Sequence, residues 1–156
     1  MRNKNLLAGL LLAFAVLIIG SCGQKKIYSH YEHLDNSEWD KSDTLHFGIP
    51  PVVEDGFYRG EMGMRIGLDF PYENLVVDVT ETIYPSRIQK TYTLNCTLTE
   101  QSGQWKGAGV NYIQYLFPVG SIQLHAGDSV HYAISHKMKR IQIPCVYNVG
   151  INLSQQ

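Results

Sequence analysis

The chain reads as an all-β protein, a two-sheet antiparallel β-sandwich behind an N-terminal lipoprotein-type export segment. Three observations predict this. Five runs alternate apolar and polar residues with a period of two, the signature of strands buried on one face. Clusters of Gly, Ser, Gln, Asp and Pro punctuate those runs at short spacing. Downstream of residue 26, nothing carries a helical apolar repeat over three turns.

The first segment stands apart from the domain. Arg2 and Lys4 precede an apolar run of 15 residues, Leu6 to Gly20. That is short of the roughly 20 residues a spanning helix needs, and it has the layout of a secretory signal. The run ends Ile19-Gly20-Ser21-Cys22, which resembles the lipobox of bacterial lipoproteins: the cysteine thiol is acylated and the signal is cut before it. The competing reading is an ordinary signal peptide beside a chance cysteine, in a chain that has three. The expected organisation is a signal peptide over residues 1–21, acylated Cys22 with a short tether over 22–26, and a β-sandwich domain over 27–156. Each buried methylene contributes about 0.8 kcal/mol, so two or more acyl chains anchor stably where one does not.

Removal of residues 1–21 leaves 135, and it takes Arg2 and Lys4 but no acid. Thirteen basic residues thus become eleven against fourteen acidic. A weakly acidic domain without a basic block excludes nucleic acid as the expected partner. At this length a core forms without covalent staples.

Along the domain, Pro50-Pro51 is the first stiff punctuation. Tyr58, Gly60, Met62, Met64, Ile66, Leu68 and Phe70 then share one parity against Arg59, Glu61, Gly63, Arg65, Gly67 and Asp69. The glycines inside that strand predict a bulge or a close neighbour. Leu75, Val77 and Val79 form a second run. After Tyr84-Pro85-Ser86-Arg87 comes a third, Ile88, Tyr92, Leu94, Cys96 and Leu98, whose outer row is rich in threonine. If Ile83 opposes Ile88 across this turn, Glu81 meets Lys90, Val79 meets Tyr92, Val77 meets Leu94 and Leu75 meets Cys96. A slip of one residue would turn an apolar row outward, so this register is the predicted one. Gln101-Ser102-Gly103-Gln104 and Ala126-Gly127-Asp128-Ser129 are turns, and Val130, Tyr132 and Ile134 alternate between them and the last run. That run, Ile141 to Leu153, reads as one long strand in which Pro144 requires an edge position or a bulge.

Chemistry-bearing residues are few. Cys96 and Cys145 both fall on apolar parities; an oxidising compartment permits a disulfide between them, and two buried thiols acting as small apolar side chains fit equally well. His30-Tyr31-Glu32-His33 with Asp35 has some look of a metal site, but on an extended segment the two rings point to opposite faces, so surface histidines are expected and no metal. The acids lie on outer strand faces or in loops, and no nucleophile motif or phosphate loop occurs, so no catalytic residues and no cofactor are expected. Trp39 and Trp105 occupy loop-to-strand entries, where an aromatic either closes the end of the sandwich or meets a ligand.

Motifs spread over the mature chain carry a family resemblance. After the lipobox come Trp39…Leu45-His46-Phe47, then Met64-Arg65…Phe70-Pro71-Tyr72-Glu73-Asn74-Leu75. Gly103-Gln104-Trp105-Lys106-Gly107-Ala108-Gly109 follows, and then Met138-Lys139-Arg140…Val149-Gly150-Ile151. Together these resemble the gliding motility lipoprotein GldH family of the Bacteroidetes, with Lys139 inserted where the family more often has Met-Arg directly. The resemblance implies a non-enzymatic outer-membrane lipoprotein in the gliding machinery of the cell envelope, or in a related export machinery, since the family also occurs in relatives that do not glide. The expected partners are the membrane, through palmitate or other acyl chains on Cys22, and envelope proteins of that machinery. Gly23-Gln24-Lys25-Lys26 contains no acid, unlike the surface-exported lipoproteins of the phylum, so the resemblance favours the periplasmic leaflet. The expected partner surface comprises the loop ends holding Trp39, Pro71, Tyr72, Asn74, Trp105 and Gly107. The alternative is a lipid-anchored glycan-binding module, which predicts two or three exposed aromatics forming a flat or grooved platform and is removed if Trp39 and Trp105 are both buried.

Overall fold

The structure, a computed structural model, describes residues 25–156. Cys22, the signal segment and the first part of the tether lie outside the described residues. Ten strands follow in order: β1 (Lys25–His33), β2 (Glu38–Asp40), β3 (Leu45–Ile49), β4 (Gly56–Ile66), β5 (Asn74–Tyr84), β6 (Ile88–Thr97), β7 (Ile113–Leu124), β8 (Ser129–His136), β9 (Gln142–Pro144) and β10 (Val146–Gln155). They form two four-stranded antiparallel sheets, β1-β10-β4-β7 and β3-β8-β5-β6, and a two-stranded ribbon, β2-β9. The class is all-β, as predicted, and the arrangement is a sandwich.

Alternation explains the core. Tyr58, Met62, Met64 and Ile66 of β4 point inward with Leu75, Val77 and Val79 of β5, Val130, Tyr132 and Ile134 of β8, and Val149, Ile151 and Leu153 of β10. Burying each large aliphatic side chain contributes about 1.5–3 kcal/mol. Glycines set how closely the sheets approach. A Cβ on Gly60 would lie 2.9 Å from the Tyr132 hydroxyl of the opposite sheet, and Gly120 faces the Tyr92 ring. β4 and β7 shift register at Gly60/Glu61, the bulge its glycines predicted.

The β5–β6 hairpin has the predicted register throughout, from Ile83↔Ile88 through Glu81↔Lys90 to Leu75↔Cys96. Glu81 and Lys90 do not form an ion pair. Glu81 is buried and accepts a hydrogen bond from the Tyr132 hydroxyl at 2.8 Å, while Lys90 is exposed. Two run boundaries differ from expectation. The Tyr58–Phe70 alternation ends at Ile66: the chain turns there, leaving Leu68 half exposed and returning Phe70 to the core. The Ile141–Leu153 run is two strands. Ile141 is exposed, Ile143 pairs with Trp39 in the ribbon, and Cys145 takes a positive φ of 60° that breaks the chain between β9 and β10. Pro144 thus sits on a short ribbon strand, where a missing N–H costs little.

Candidate functional site

A concavity of about 760 Å³, open to solvent, lies along the outward edge of β7. Its construction begins where β6 leaves its sheet. The Leu98 amide donates to the Glu73 carbonyl at 2.8 Å, and the Leu98 carbonyl accepts from the Lys106 amide at 2.8 Å and the Tyr115 hydroxyl at 2.9 Å. This pins Tyr72–Asn74 and Trp105–Gly107 on either side of one residue. The turn between them closes with Gly103 at φ 81°, a conformation that costs glycine nothing. Gly107 then passes so close to β7 that a Cβ there would lie 2.5 Å from Ile113 Cγ2 and 2.6 Å from the Gln114 carbonyl oxygen. Ala108 and Gln114 exchange backbone bonds of 3.4 and 2.9 Å, which seat the loop against the sheet edge.

Beyond that bridge the loop exposes Val110 (87% accessible) and Tyr112, and β7 exposes Leu116 (49%). Lys106 is the one charged residue lining the groove, and no acid lines it. Burial pushes the Tyr115 hydroxyl above its ordinary pKa, partly offset by a hydrogen bond with the backbone of Gly107, so it stays a neutral donor to Leu98.

Next to the groove a guanidinium is clamped. Arg65 of β4 lies 4.7 Å from the Tyr31 ring centroid and 5.3 Å from that of Tyr112, and its Nε donates to Gln114 Oε1 at 3.1 Å. Tyr31 reaches it by lying flat across the outer face of the sheet. A Cβ on Gly150 would meet its ring at 2.6 Å, and one on Gly63 would collide with its hydroxyl. The clamp draws on residues 31, 65, 112 and 114, too far apart in sequence to be associated by motif. The available signal was the glycines inside strands, which announce a close neighbour without naming it.

The residues expected at the partner surface divide. Gly107 lines the groove, and Trp105 is half buried against the core beneath it, bridged to Thr99. Pro71 is exposed, Tyr72 packs edge-on to Phe70 at 5.5 Å, and Asn74 donates to Asn95 at 3.0 Å. Trp39 is not part of any surface. It is fully buried, edge-on to His136 at 5.5 Å, with its Nε1 donating to the Asp43 carbonyl at 3.3 Å, because the ribbon folds it over the end of the core. Trp39 is therefore unavailable to the exposed aromatic platform that a glycan-binding module predicts, whereas Trp105 is only half buried. Cys96 and Cys145 are both free thiols. Cys96 is buried in β6 as a small apolar side chain, with desolvation pushing its pKa up to about 12, and Cys145 is half buried beside Gly67. Exposed His30 is 3.0 Å from Glu32, and no group of three His, Cys, Asp or Glu among the described residues is placed to hold a metal.

Several solved structures align with this chain at low similarity. Eiger TNF from S. frugiperda is 11% identical, with 85% of this chain and 94% of that one covered and a TM-score of 0.39. A family 35 carbohydrate binding module from Clostridium thermocellum is 12% identical, with 81% and 87% covered and a TM-score of 0.38. The GH115 4-O-methyl-alpha-glucuronidase BtGH115A is 11% identical, with 87% and 18% covered and a TM-score of 0.45. Likeness at this level says nothing about activity. No curated protein matches the sequence. The family model described as GldH lipoprotein matches residues 26–153, nearly all of the described domain, and the chain belongs to the GldH lipoprotein family.

Proposed function

We propose that this lipoprotein is a non-enzymatic component of the gliding motility machinery, or of a related export machinery, moored by acylated Cys22 in the periplasmic leaflet of the outer membrane. In this reading its work is to dock an envelope protein against the groove beside β7. Family membership over residues 26–153 supports the setting. The observation that carries the docking role is the groove itself: a loop pinned at Leu98 and Ala108 holds Val110 and Tyr112 out beside Leu116, leaving apolar side chains in water. Exposure of clustered apolar surface marks an interaction site when it is contiguous. Mooring raises the local concentration of the domain, so individually weak contacts suffice.

Deletion of the gene is expected to abolish gliding, or secretion in a strain that does not glide, with rescue by the native chain and not by Leu116→Glu. A deletion strain with normal gliding and normal secretion refutes the role. Protease treatment of intact cells is expected to leave the domain whole, and its removal would place it on the outer surface instead.

A further inference from the structure

We infer that Arg65 is a carboxylate receptor, and that the partner segment entering the groove is an extended, mostly apolar peptide whose acidic side chain closes on its guanidinium. This deepens the docking role proposed above and rests on it. An arginine on a strand face ordinarily swings freely in water or pairs with a neighbouring acid. Arg65 does neither. Tyr31 and Tyr112 hold its plane, Gln114 holds its Nε, and among the described residues no carboxylate oxygen lies within 4.0 Å of it and no hydrogen bond engages its two terminal nitrogens.

The cost of fixing a long side chain has thus been met within the fold. Four elements contribute: Tyr31 from β1, Gly150 from β10, Gly63 from β4, and the Tyr112–Gln114 segment of the loop and β7. What remains free is the fork of donors that matches a carboxylate in two parallel bonds. A pre-ordered fork loses less entropy on binding than a mobile one.

The surroundings select the class of ligand. Tyr112 and Gln114 belong both to the clamp and to the groove lining, so a chain in the groove passes within reach of the guanidinium. Lys106 adds a second positive charge and no acid opposes it, although the chain as a whole is net negative. Leu116 and Val110 offer apolar contacts beside the charge, which suits a peptide alternating acidic and aliphatic residues. Addition of a full strand to β7 is not available. Its edge is occupied by Ala108 at Gln114 and interrupted by Pro118, which has no N–H to offer. Recognition must therefore come from side chains.

The test uses the full chain in uncharged detergent micelles and two peptides labelled at the N-terminus, fluorescein-Leu-Val-Glu-Leu-Val-amide and its Gln counterpart. Anisotropy is expected to show the Glu peptide binding about tenfold or more tightly than the Gln peptide, the range of a charge-assisted bidentate pair over a neutral one. In the same titration the Arg65 Nε–H resonance, assigned by its loss in Arg65→Lys, is expected to shift and saturate. Arg65→Lys keeps the charge and loses the fork, and is expected to erase most of that preference while its thermal unfolding stays close to native. Equal affinity for the two peptides overturns the inference, as does an unchanged preference in Arg65→Lys. A resonance that responds to trigalacturonic acid or inorganic phosphate and not to the Glu peptide overturns it in favour of a glycan or a small anion. The peptide comparison on the native protein needs no variant to fold. Loss of gliding on gene deletion together with equal peptide affinities would remove this inference and leave the docking role standing.

Discussion

Tyr31 lies flat across two strands because Gly63 and Gly150 have no side chains. An alanine at residue 63 must displace the Tyr31 hydroxyl, and with it one wall of the Arg65 clamp. Gly63→Ala is expected to lower stability by about 1–3 kcal/mol, the usual cost of overpacking, read as a lower urea midpoint at unchanged slope. Glu81 makes a pH argument at the same scale. Desolvation raises its pKa, with the Tyr132 hydrogen bond and the Lys90 charge pulling the other way. A carboxyl raised in the folded state binds its proton more tightly there than in the unfolded chain. Its contribution to stability is therefore full below the unfolded value near 4.5 and is lost as pH rises through the folded one. Glu81→Gln can still accept from Tyr132, so it is expected to stabilise the domain at pH 8 relative to pH 4.5, seen in paired thermal melts. An equal effect at both pH values would mean that Glu81 carries no strained charge. Cys96, with its thiol pushed up to about 12 by burial, is expected to resist iodoacetamide at pH 8 in the native protein. In urea without reductant, peptide mapping should find both Cys96 and Cys145 alkylated; protection of both would reveal a bond between them.

Elements were legible in proportion to how local their causes are. The β5–β6 hairpin could be aligned residue by residue because alternation and one turn fix it, and a slip costs a whole apolar row. The Ile141–Leu153 run misled because periodicity ignores backbone: Pro144 called for an edge or a bulge, but the left-handed conformation of Cys145 divides the run outright. Trp39 was legible only as a choice between closing the end of the sandwich and meeting a ligand, and it closes the end. Its burial depends on β2 finding β9, about a hundred residues away, and closing over His136. The groove was half legible, since the Gly-rich segment around Gly107 marks a close approach, whereas the Arg65 clamp needs four strands assembled. The β2–β9 ribbon has a testable weakness. Neither ring nitrogen of buried His136 makes a well-formed hydrogen bond, and burial lowers its pKa while the neighbouring backbone of Ile141 and Trp39 pulls the other way. A base lowered in the folded state is protonated more readily when unfolded, so stability is lost as pH falls below the ordinary value near 6.5. Asp40 and Lys41 on the facing strand end act on it in opposite senses. Acidification from pH 7.5 to 5 in a Trp105→Phe background should loosen the ribbon, seen as a change in Trp39 fluorescence that His136→Phe suppresses. A pH-independent signal would show that the ring stays neutral throughout.

At the scale of the whole molecule, β1 relates the proposed anchor to the groove. From Cys22 to Lys25 the covalent chain spans at most about 11 Å, whatever path it takes. β1 then runs from Lys25 to His33, roughly 26 Å at strand rise. Lys25 pairs with Gln155, whereas His33 pairs with Asn148, which pairs in turn with Arg65. The clamp and its groove therefore stand at the end of the sheet opposite the tether. Under the proposed mooring, an acylated Cys22 would hold one pole of the sandwich at the bilayer and present the other to whatever lies beyond it, within a reach the short tether keeps narrow. Acylation would then serve placement and local concentration, and folding would not depend on it. Cys22→Ser is expected to abolish palmitate labelling and release the chain into the soluble envelope fraction with unchanged thermal unfolding, while gliding or secretion falls to the level of the deletion strain. A serine variant that remains membrane-bound and active, or a native chain that takes up no palmitate, would mean that the mooring is not at residue 22 and that the polarity of the domain has another origin.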